Sequence, residues 1–147
     1  MKVVIQRSKK SSVSVSGNLI NKIDKGLCIL VGITPEDTDE DINYLVKKIV
    51  GLRIFDDEEG VMNKSILESG GEILLISQFT LMADTSKGNR PSYIGAAKGD
   101  VAKPLYEKML NTLNNHVKTY GGVFGAEMLV NIENDGPITI IIDSKNK

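Results

Sequence analysis

The sequence predicts an α+β fold: a curled or barrel-like, mainly antiparallel β-sheet covered by two main helices, in a single domain over residues 1–147. Three observations carry this expectation. Gly26–Ile33 and Glu72–Phe79 are continuous apolar runs and read as buried strands. Segments opening at Thr38 and near Asp100 carry apolar residues at helical spacing. The length of 147 residues suits one domain. It is enough to bury about 68–70% of the unfolded surface without a disulfide or metal.

Each element follows from local pattern. Val3 to Gln6 alternates weakly, and Ser12-Val13-Ser14-Val15-Ser16 alternates strictly, the period of a half-buried strand. Gly17-Asn18 suits a two-residue type II′ hairpin loop before Leu19-Ile20. Thr38 opens the first helix, with Asp39, Glu40 and Asp41 in the turn where the helix dipole favours negative charge. Ile42, Leu45, Val46 and Ile49 form its apolar stripe, and Gly51 ends it near Leu52 or Arg53. The acidic Asp56–Gly60 stretch reads as a solvated turn. Gly70-Gly71 breaks the chain before the second buried run, which delivers Ser77 to Thr80 at its C-terminal end. The loop from Ala83 to Gly99 is long for a compact domain, and such loops are often functional. A second helix begins at Asp100 to Ala102, with Pro104 in its first turn and Leu105, Met109, Leu113 and Val117 as its stripe. Gly121-Gly122 ends it, and Val123–Ile132 and Ile138–Ile142 read as strands.

Composition narrows the function classes. Apolar residues make up 41% and charged residues 25%, as in a water-soluble globular protein. Cys28 is the one cysteine, so no intramolecular disulfide forms, and its apolar setting predicts a buried, inert thiol. No stretch reaches the ~18 apolar residues of a membrane span, and charge at Lys2 and Arg7 leaves no signal-peptide core. The expected compartment is the cytoplasm, with no membrane partner. A net charge of −1 argues against indiscriminate coating of nucleic acid, though not against a local patch. Lys87, Arg90, Lys98 and Lys103 are candidates for such a patch, opposed within that stretch only by Asp100, the alternative being a solvated loop that happens to be basic.

Two strings stand out for chemistry. Ser77-Gln78-Phe79-Thr80 ends an apolar strand with polar side chains, and backbone N–H groups at Phe79 and Thr80 could face a tetrahedral oxyanion. Asn134-Asp135-Gly136-Pro137-Ile138-Thr139 places a Gly-Pro bond in an apparent strand, where proline donates no ladder bond and an X-Pro peptide is free to be cis. Thr80 is a candidate nucleophile, but a hydroxyl needs a base. The single histidine, His116, lies in the second helix far from both strings, which disfavours a Ser-His-Asp triad. His116 and Cys28 cannot supply a zinc ligand set, and Lys87-Gly88-Asn89-Arg90 is not a phosphate-binding loop. No metal or cofactor is expected.

Taken together, the strings resemble the signature pair of the D-aminoacyl-tRNA deacylases. The family's Ser-Gln-Phe-Thr and Asn-x-Gly-Pro-x-Thr motifs are intact at Ser77–Thr80 and Asn134–Thr139. The likeness extends in the same order through Val4-Ile5-Gln6-Arg7, Leu52-Arg53-Ile54-Phe55, Arg90-Pro91-Ser92-Tyr93 and Val123-Phe124-Gly125-Ala126. It implies hydrolysis of the ester of D-aminoacyl-tRNA, with Ser77, Gln78, Phe79 and Thr80 as the catalytic edge. It implies a homodimer with active sites at the interface, where Gly136-Pro137, held cis, enters the partner's pocket and excludes L side chains. Arg7 would fix that loop, with Asn134 and Thr139 supporting it. Glycine has no side chain to exclude, so glycyl-tRNA, including glycine mischarged on alanine tRNA, becomes a further substrate. Lys87 and Arg90 become contacts to the tRNA acceptor end, and Phe124, Gly125 and Ala126 a lining for the terminal adenosine.

An aminoacyl ester is already reactive, and the neighbouring ribose hydroxyl can assist its hydrolysis. A protein that positions and polarises such a substrate needs no base of its own. Two competing readings remain at this point. One is a non-catalytic nucleic-acid-binding protein of the same fold. The other is a generic small-molecule hydrolase, disfavoured by the lack of a histidine base.

Overall fold

The computed structural model describes every residue, Met1–Lys147. In chain order the elements are β1 (Lys2–Val15), β2 (Asn18–Ile23), β3 (Gly26–Gly32), α1 (Asp39–Gly51), β4 (Phe55–Asp56), β5 (Met62–Lys64), α2 (Ile66–Ser69), β6 (Glu72–Ser77), a 3₁₀ turn (Phe79–Met82), α3 (Gly99–Asn114), β7 (Thr119–Gly121) and β8 (Leu129–Asp143). β1 pairs antiparallel with β3 over its first half and with β2 over its second. β2 and β3 therefore run end to end along one edge of β1. β8 covers the other edge, also antiparallel. β3–β6 and β6–β7 are parallel, so the sheet is mixed. Parallel neighbours need crossovers, and the segments containing α1 and α3 supply them. The sheet curls until the Asn21 side-chain amide on β2 donates to the Gly121 carbonyl on β7 at 2.6 Å.

Both central strands are buried on both faces, which is why they read as unbroken apolar runs. Leu27, Ile29 and Val31 of β3, with Ile73 and Leu75 of β6, face Ile42, Leu45, Val46 and Ile49 of α1 and Tyr106, Met109 and Leu113 of α3 in one core. Cys28, Leu74 and Ile76 point the other way and pack with Val13 and Ile23 inside the curl. Gly26 has φ 144° and sits against the Glu72 backbone, leaving no room for a β-carbon where β3 meets β6.

The first helix forms as its sequence predicts. The Thr38 hydroxyl accepts from Glu40 N–H, and the Asp41 carboxylate accepts from Thr38 N–H at 2.8 Å, a capping box. Other boundaries differ. The hairpin turn is Ser16-Gly17, with φ 50° and 80°, the positive pair of a type I′ turn, and not Gly17-Asn18 in type II′. α3 starts at Gly99, so Pro104 falls in its second turn and leaves the Asp100 carbonyl without its usual helical donor. The helix stops at Asn114, whose side chain accepts from Thr119 N–H at 2.8 Å and donates to the Thr119 carbonyl at 2.9 Å. Val117 continues the apolar spacing and is buried, but it lies beyond the helix, and Gly121 ends a strand. The acidic stretch is the tip of the β4–β5 hairpin, closed by Asp57 accepting from Glu59 and Val61 N–H. Val123–Met128 is irregular, and the last two expected strands are one strand, β8.

Candidate active site

A cavity of about 690 Å³ opens where the two parallel strands end. Such carboxyl ends are the usual place for ligands in parallel sheets, and this volume is typical of small-ligand pockets. Val31 on β3 and Ser77 on β6 are register partners, and Gln78 N–H donates to the Val31 carbonyl at 2.8 Å. This bond holds the Ser77-Gln78-Phe79 edge against the end of β3. Gly32 makes the approach feasible, because a β-carbon there would lie 2.9 Å from Leu81 Cβ. Ser77, Gln78 and Phe79 form one wall, and Phe124, Gly125 and Ala126 lie in the wall contributed by the β7–β8 connection. Residues 77–79 and 124–126, about 45 positions apart in sequence, thus share one cavity.

Tyr106 fixes the second wall. Its hydroxyl donates to the Leu75 carbonyl at 2.7 Å and accepts from Gly122 N–H at 3.3 Å, and its ring lies 5.8 Å from that of Phe124. Burial raises its phenol pKa, so it stays a neutral donor at physiological pH. Leu30, Ile76, Val130 and Ile132 make the floor apolar, while Ser77, Gln78 and Glu127 supply polar groups. This combination suits a flat, partly apolar ligand with a few polar anchors. The lining residues Glu127 and Met128 carry no motif of their own. Their one signal was adjacency to Phe124-Gly125-Ala126. Ala97, Gly99 and Ala102 line the opening at the start of α3, and only their small size after a long loop hinted at it.

Thr80 is exposed in the 3₁₀ turn and does not line the cavity, and its hydroxyl makes no hydrogen bond to a basic side chain. Lys87 and Arg90 are exposed on the loop closed by Asp84 and Ser92, also outside the lining. His116 is exposed in the turn after α3, outside the helix that the apolar spacing predicts for it. Cys28 is fully buried, and burial pushes its thiol pKa up to about 12.

Gly136, Pro137, Arg7, Asn134 and Thr139 assemble as a second cluster apart from the cavity lining. Gln6 pairs with Thr139 and Ser8 with Asn134, so residues 135–138 are extruded opposite Arg7 alone. The Gly136–Pro137 peptide in this excursion is cis, and both residues are exposed. The Asn134 amide donates to the carbonyls of Arg7 at 3.1 Å and Ile138 at 2.9 Å. Its oxygen accepts from Gln6 Nε2 at 3.0 Å and the Thr139 hydroxyl at 3.1 Å. The Thr139 hydroxyl also lies 3.3 Å from the Pro137 carbonyl. Beneath the excursion Arg7 is buried, donating to the Ile54 carbonyl at 2.8 Å with Asp56 at 3.4 Å. Its Nε lies 3.2 Å from the Asp135 carboxylate, an ion pair without hydrogen-bond alignment.

The fold and its two clusters define a class of small curled-sheet proteins with a cavity at the strand ends and an exposed, hydrogen-bonded backbone excursion outside its lining. Comparison with known proteins narrows this. The D-Tyr-tRNA(Tyr) deacylase family matches residues 4–143, and the chain belongs to that family. It is 58% identical to a D-aminoacyl-tRNA deacylase of Bacteroides thetaiotaomicron and 54% identical to one of Flavobacterium psychrophilum, each over all of this chain and 99% of the relative. Among solved structures, the c-Myc DNA Unwinding Element Binding Protein superposes with a TM-score of 0.89 at 41% identity, covering 97% of this chain and 98% of that one. A probable eukaryotic D-amino acid tRNA deacylase superposes with a TM-score of 0.82 at 17% identity over 96% and 97% of the two chains, a likeness of fold.

Proposed function

We propose that this chain, acting as one domain over residues 1–147, hydrolyses the ester bond of D-aminoacyl-tRNA and releases free amino acid and tRNA. The observation that carries this reading is the shared cavity, which joins Ser77-Gln78-Phe79 to Phe124-Gly125-Ala126. The cavity takes the terminal adenosine, with Phe79 and Phe124 against its faces. The ester then lies at the Ser77–Thr80 edge, where backbone N–H groups of Phe79 and Thr80 stabilise the oxyanion. Removing such a donor typically costs about 10²–10³ in rate. The ribose hydroxyl beside the ester supplies the assistance for which neither Thr80 nor His116 is placed, both lying outside the cavity lining, so Thr80 is not an obligate nucleophile. No metal or cofactor takes part in this route.

The chiral gate is the Gly136-Pro137 excursion. Its residues are exposed and absent from the walls of their own cavity, which is compatible with a second copy as the recipient. In that homodimer the sites lie at the interface, and each excursion presents its carbonyls to the α-amino group held in the partner's pocket. A steric barrier is the effective device here, since attractive apolar contacts discriminate by only about 1–3 kcal/mol per methylene. A backbone barrier ignores side-chain identity and passes glycine, so D-aminoacyl-tRNAs in general and glycyl-tRNA on alanine tRNA are substrates. Arg7, Asn134 and Thr139 hold the barrier, and Lys87 and Arg90 contact the acceptor end. The expected place of action is the cytoplasm; no helix is long and apolar enough to cross a membrane.

The test is hydrolysis of matched D- and L-tyrosyl-tRNA and glycyl-tRNA. Loss of the D and glycyl esters with the L ester spared supports the reading. A second reading, non-catalytic nucleic-acid binding, draws on the similar structure named for binding a DNA element. Persistence of all three esters with folded, dimeric protein would favour it.

A further inference from the structure

Phe79 belongs to two surfaces. Its ring walls the cavity, yet the residue is 54% exposed, and its ring meets Tyr93 edge to face at 5.1 Å and 75°. Tyr93 is 41% exposed and lies outside the cavity lining, and Ile94 beside it is 93% exposed. These residues form an apolar shelf leading outward from the cavity. Edge-to-face contact sets the two rings against each other, and their exposure leaves the uncovered ring surface open to a further partner.

The shelf is anchored. Asp84 and Ser92 exchange both backbone hydrogen bonds, at 2.8 and 2.9 Å, across the neck of the loop. Ala96 N–H donates to the Tyr93 carbonyl at 3.0 Å, and Ala97 N–H donates to the Ile33 carbonyl at 2.9 Å. Ile33 and Ala97 are cavity residues, so Tyr93 is tied to one wall through the backbone and touches another through Phe79. The loop closed by the Asp84–Ser92 bridge carries Lys87 and Arg90, both exposed and neither paired with a carboxylate. Its one acid, Asp84, is engaged by Ser86 N–H at 2.9 Å.

We propose that the Phe79–Tyr93 shelf stacks the base of the nucleotide immediately 5′ to the one in the cavity, on a single-stranded RNA 3′ end, with Lys87 and Arg90 facing its phosphates. This rests on the reading that the cavity takes the terminal nucleoside of an aminoacyl-tRNA. An aromatic platform beside free cations is the general design for single-stranded nucleic acid, because every base has a π-face and every linkage an anion. Lys87 and Arg90, without a carboxylate partner, complement a strand that carries one anion per linkage. Stacking one nucleotide outside the cavity fixes the strand's direction, so the ester arrives at Ser77–Thr80 already oriented.

The experiment compares D-tyrosyl-tRNA with 3′-O-D-tyrosyl-adenosine, which lacks the stacked nucleotide, as substrates of the wild type, Tyr93→Ala and Tyr93→Phe. Tyr93→Ala is expected to raise KM for the tRNA roughly 5- to 150-fold, the span of one lost base–aromatic stack. Its kcat should stay within threefold, and the adenosine ester, as internal reference, should show no matching rise. Tyr93→Phe should restore the tRNA KM. An equal effect on both substrates would overturn the proposal, as would no effect on either. A smaller sedimenting species for Tyr93→Ala, with both substrates slowed, would assign the shelf to a protein interface and overturn it too. If the wild type cleaves neither ester, the cavity reading fails by itself. Binding of uncharged tRNA then decides the shelf: weakening by Tyr93→Ala, with recovery in Tyr93→Phe, supports it, and equal binding overturns it.

Discussion

The Asn134 side-chain amide donates to the Ile138 carbonyl at 2.9 Å and so closes the excursion that carries Gly136 and Pro137. All of its hydrogen-bonding capacity is used: two donors reach backbone carbonyls, and the oxygen receives Gln6 and Thr139. Replacing it by alanine strands two carbonyls and two donors. These groups are part-buried and, at Thr139, exposed, so water replaces part of what is lost and the net cost is about 1–3 kcal/mol. Asn134→Ala should therefore lower unfolding stability by that amount in urea titration. It should also narrow the ratio of D- to L-tyrosyl-tRNA hydrolysis, since the barrier loses its pin. An unchanged ratio in a destabilised variant would reduce Asn134 to a structural residue.

Gly136 is constrained by its own backbone. It holds φ 116°, and a β-carbon there would lie 2.8 Å from Ile138 Cγ1 and 3.0 Å from the Ile138 backbone nitrogen. The backbone nitrogen cannot swing aside as a side chain can. Gly136→Ala should cost about 1–3 kcal/mol or displace the excursion, and D-tyrosyl-tRNA hydrolysis should fall at least tenfold. Steady-state kinetics beside a circular dichroism melt separates the two effects. Full activity at full stability would show that the excursion tolerates a side chain and is no gate.

Much of this was legible in advance, and the misses have physical causes. The central strands and α1 were readable because burial on both faces and a capping box leave unambiguous patterns. Cys28 was readable for the same reason. The end of α3 was not, because Val117 keeps helical spacing after Asn114 has turned the chain back on Thr119. The parallel pairing of β3 with β6 depends on crossovers, which strand composition does not encode. Within the site, the motif residues were visible, whereas Tyr106 reads simply as helix core until its hydroxyl is seen on the Leu75 carbonyl. The placement of Thr80 and Pro137 outside the cavity was hidden because a motif fixes residue types and their order but not the surface on which the fold presents them.

Acid stability should depend on Asp41. Burial alone would raise its pKa, but the Ser144 hydroxyl at 2.6 Å, Thr38 N–H and Lys145 outweigh that and lower it from 3.8 to about 2. A carboxyl depressed in the folded state adds stability that is complete above its unfolded value and is lost as pH falls through the folded one. The wild type should thus lose this contribution between about pH 4 and pH 2. Asp41→Asn should be less stable at pH 6, with the gap closing as pH drops through that window. Urea midpoints measured from pH 6 to 2 provide the check, and a constant gap would remove Asp41 from the acid response.

The exposed cations Lys87 and Arg90 carry a prediction in salt. Each phosphate neutralised on a single strand contributes about 0.7 to the slope of log binding constant against log salt. Lys87→Glu with Arg90→Glu should weaken tRNA binding and flatten that slope by roughly 1–2. Fluorescence anisotropy with labelled tRNA at several salt concentrations measures both. An unchanged slope would place the acceptor end elsewhere.

Thr80 and the substrate's own hydroxyl are separable as agents of hydrolysis. The Thr80 side chain is exposed, lies outside the cavity lining and has no basic side chain hydrogen-bonded to it. His116 is exposed beyond α3 and does not line the cavity either. A hydroxyl without a base is a weak nucleophile, whereas the ribose 2′-hydroxyl travels with the ester. Thr80→Ala should therefore retain activity within about tenfold of wild type, a smaller loss than the ~10²–10³ of a missing oxyanion donor. D-tyrosyl-tRNA ending in 2′-deoxyadenosine should be nearly inert with the wild type. Single-turnover rates give both numbers on one scale. The opposite pattern, a dead Thr80→Ala variant with a fast deoxy substrate, would make Thr80 the nucleophile and require a covalent acyl-threonine that rapid quenching and mass spectrometry would capture.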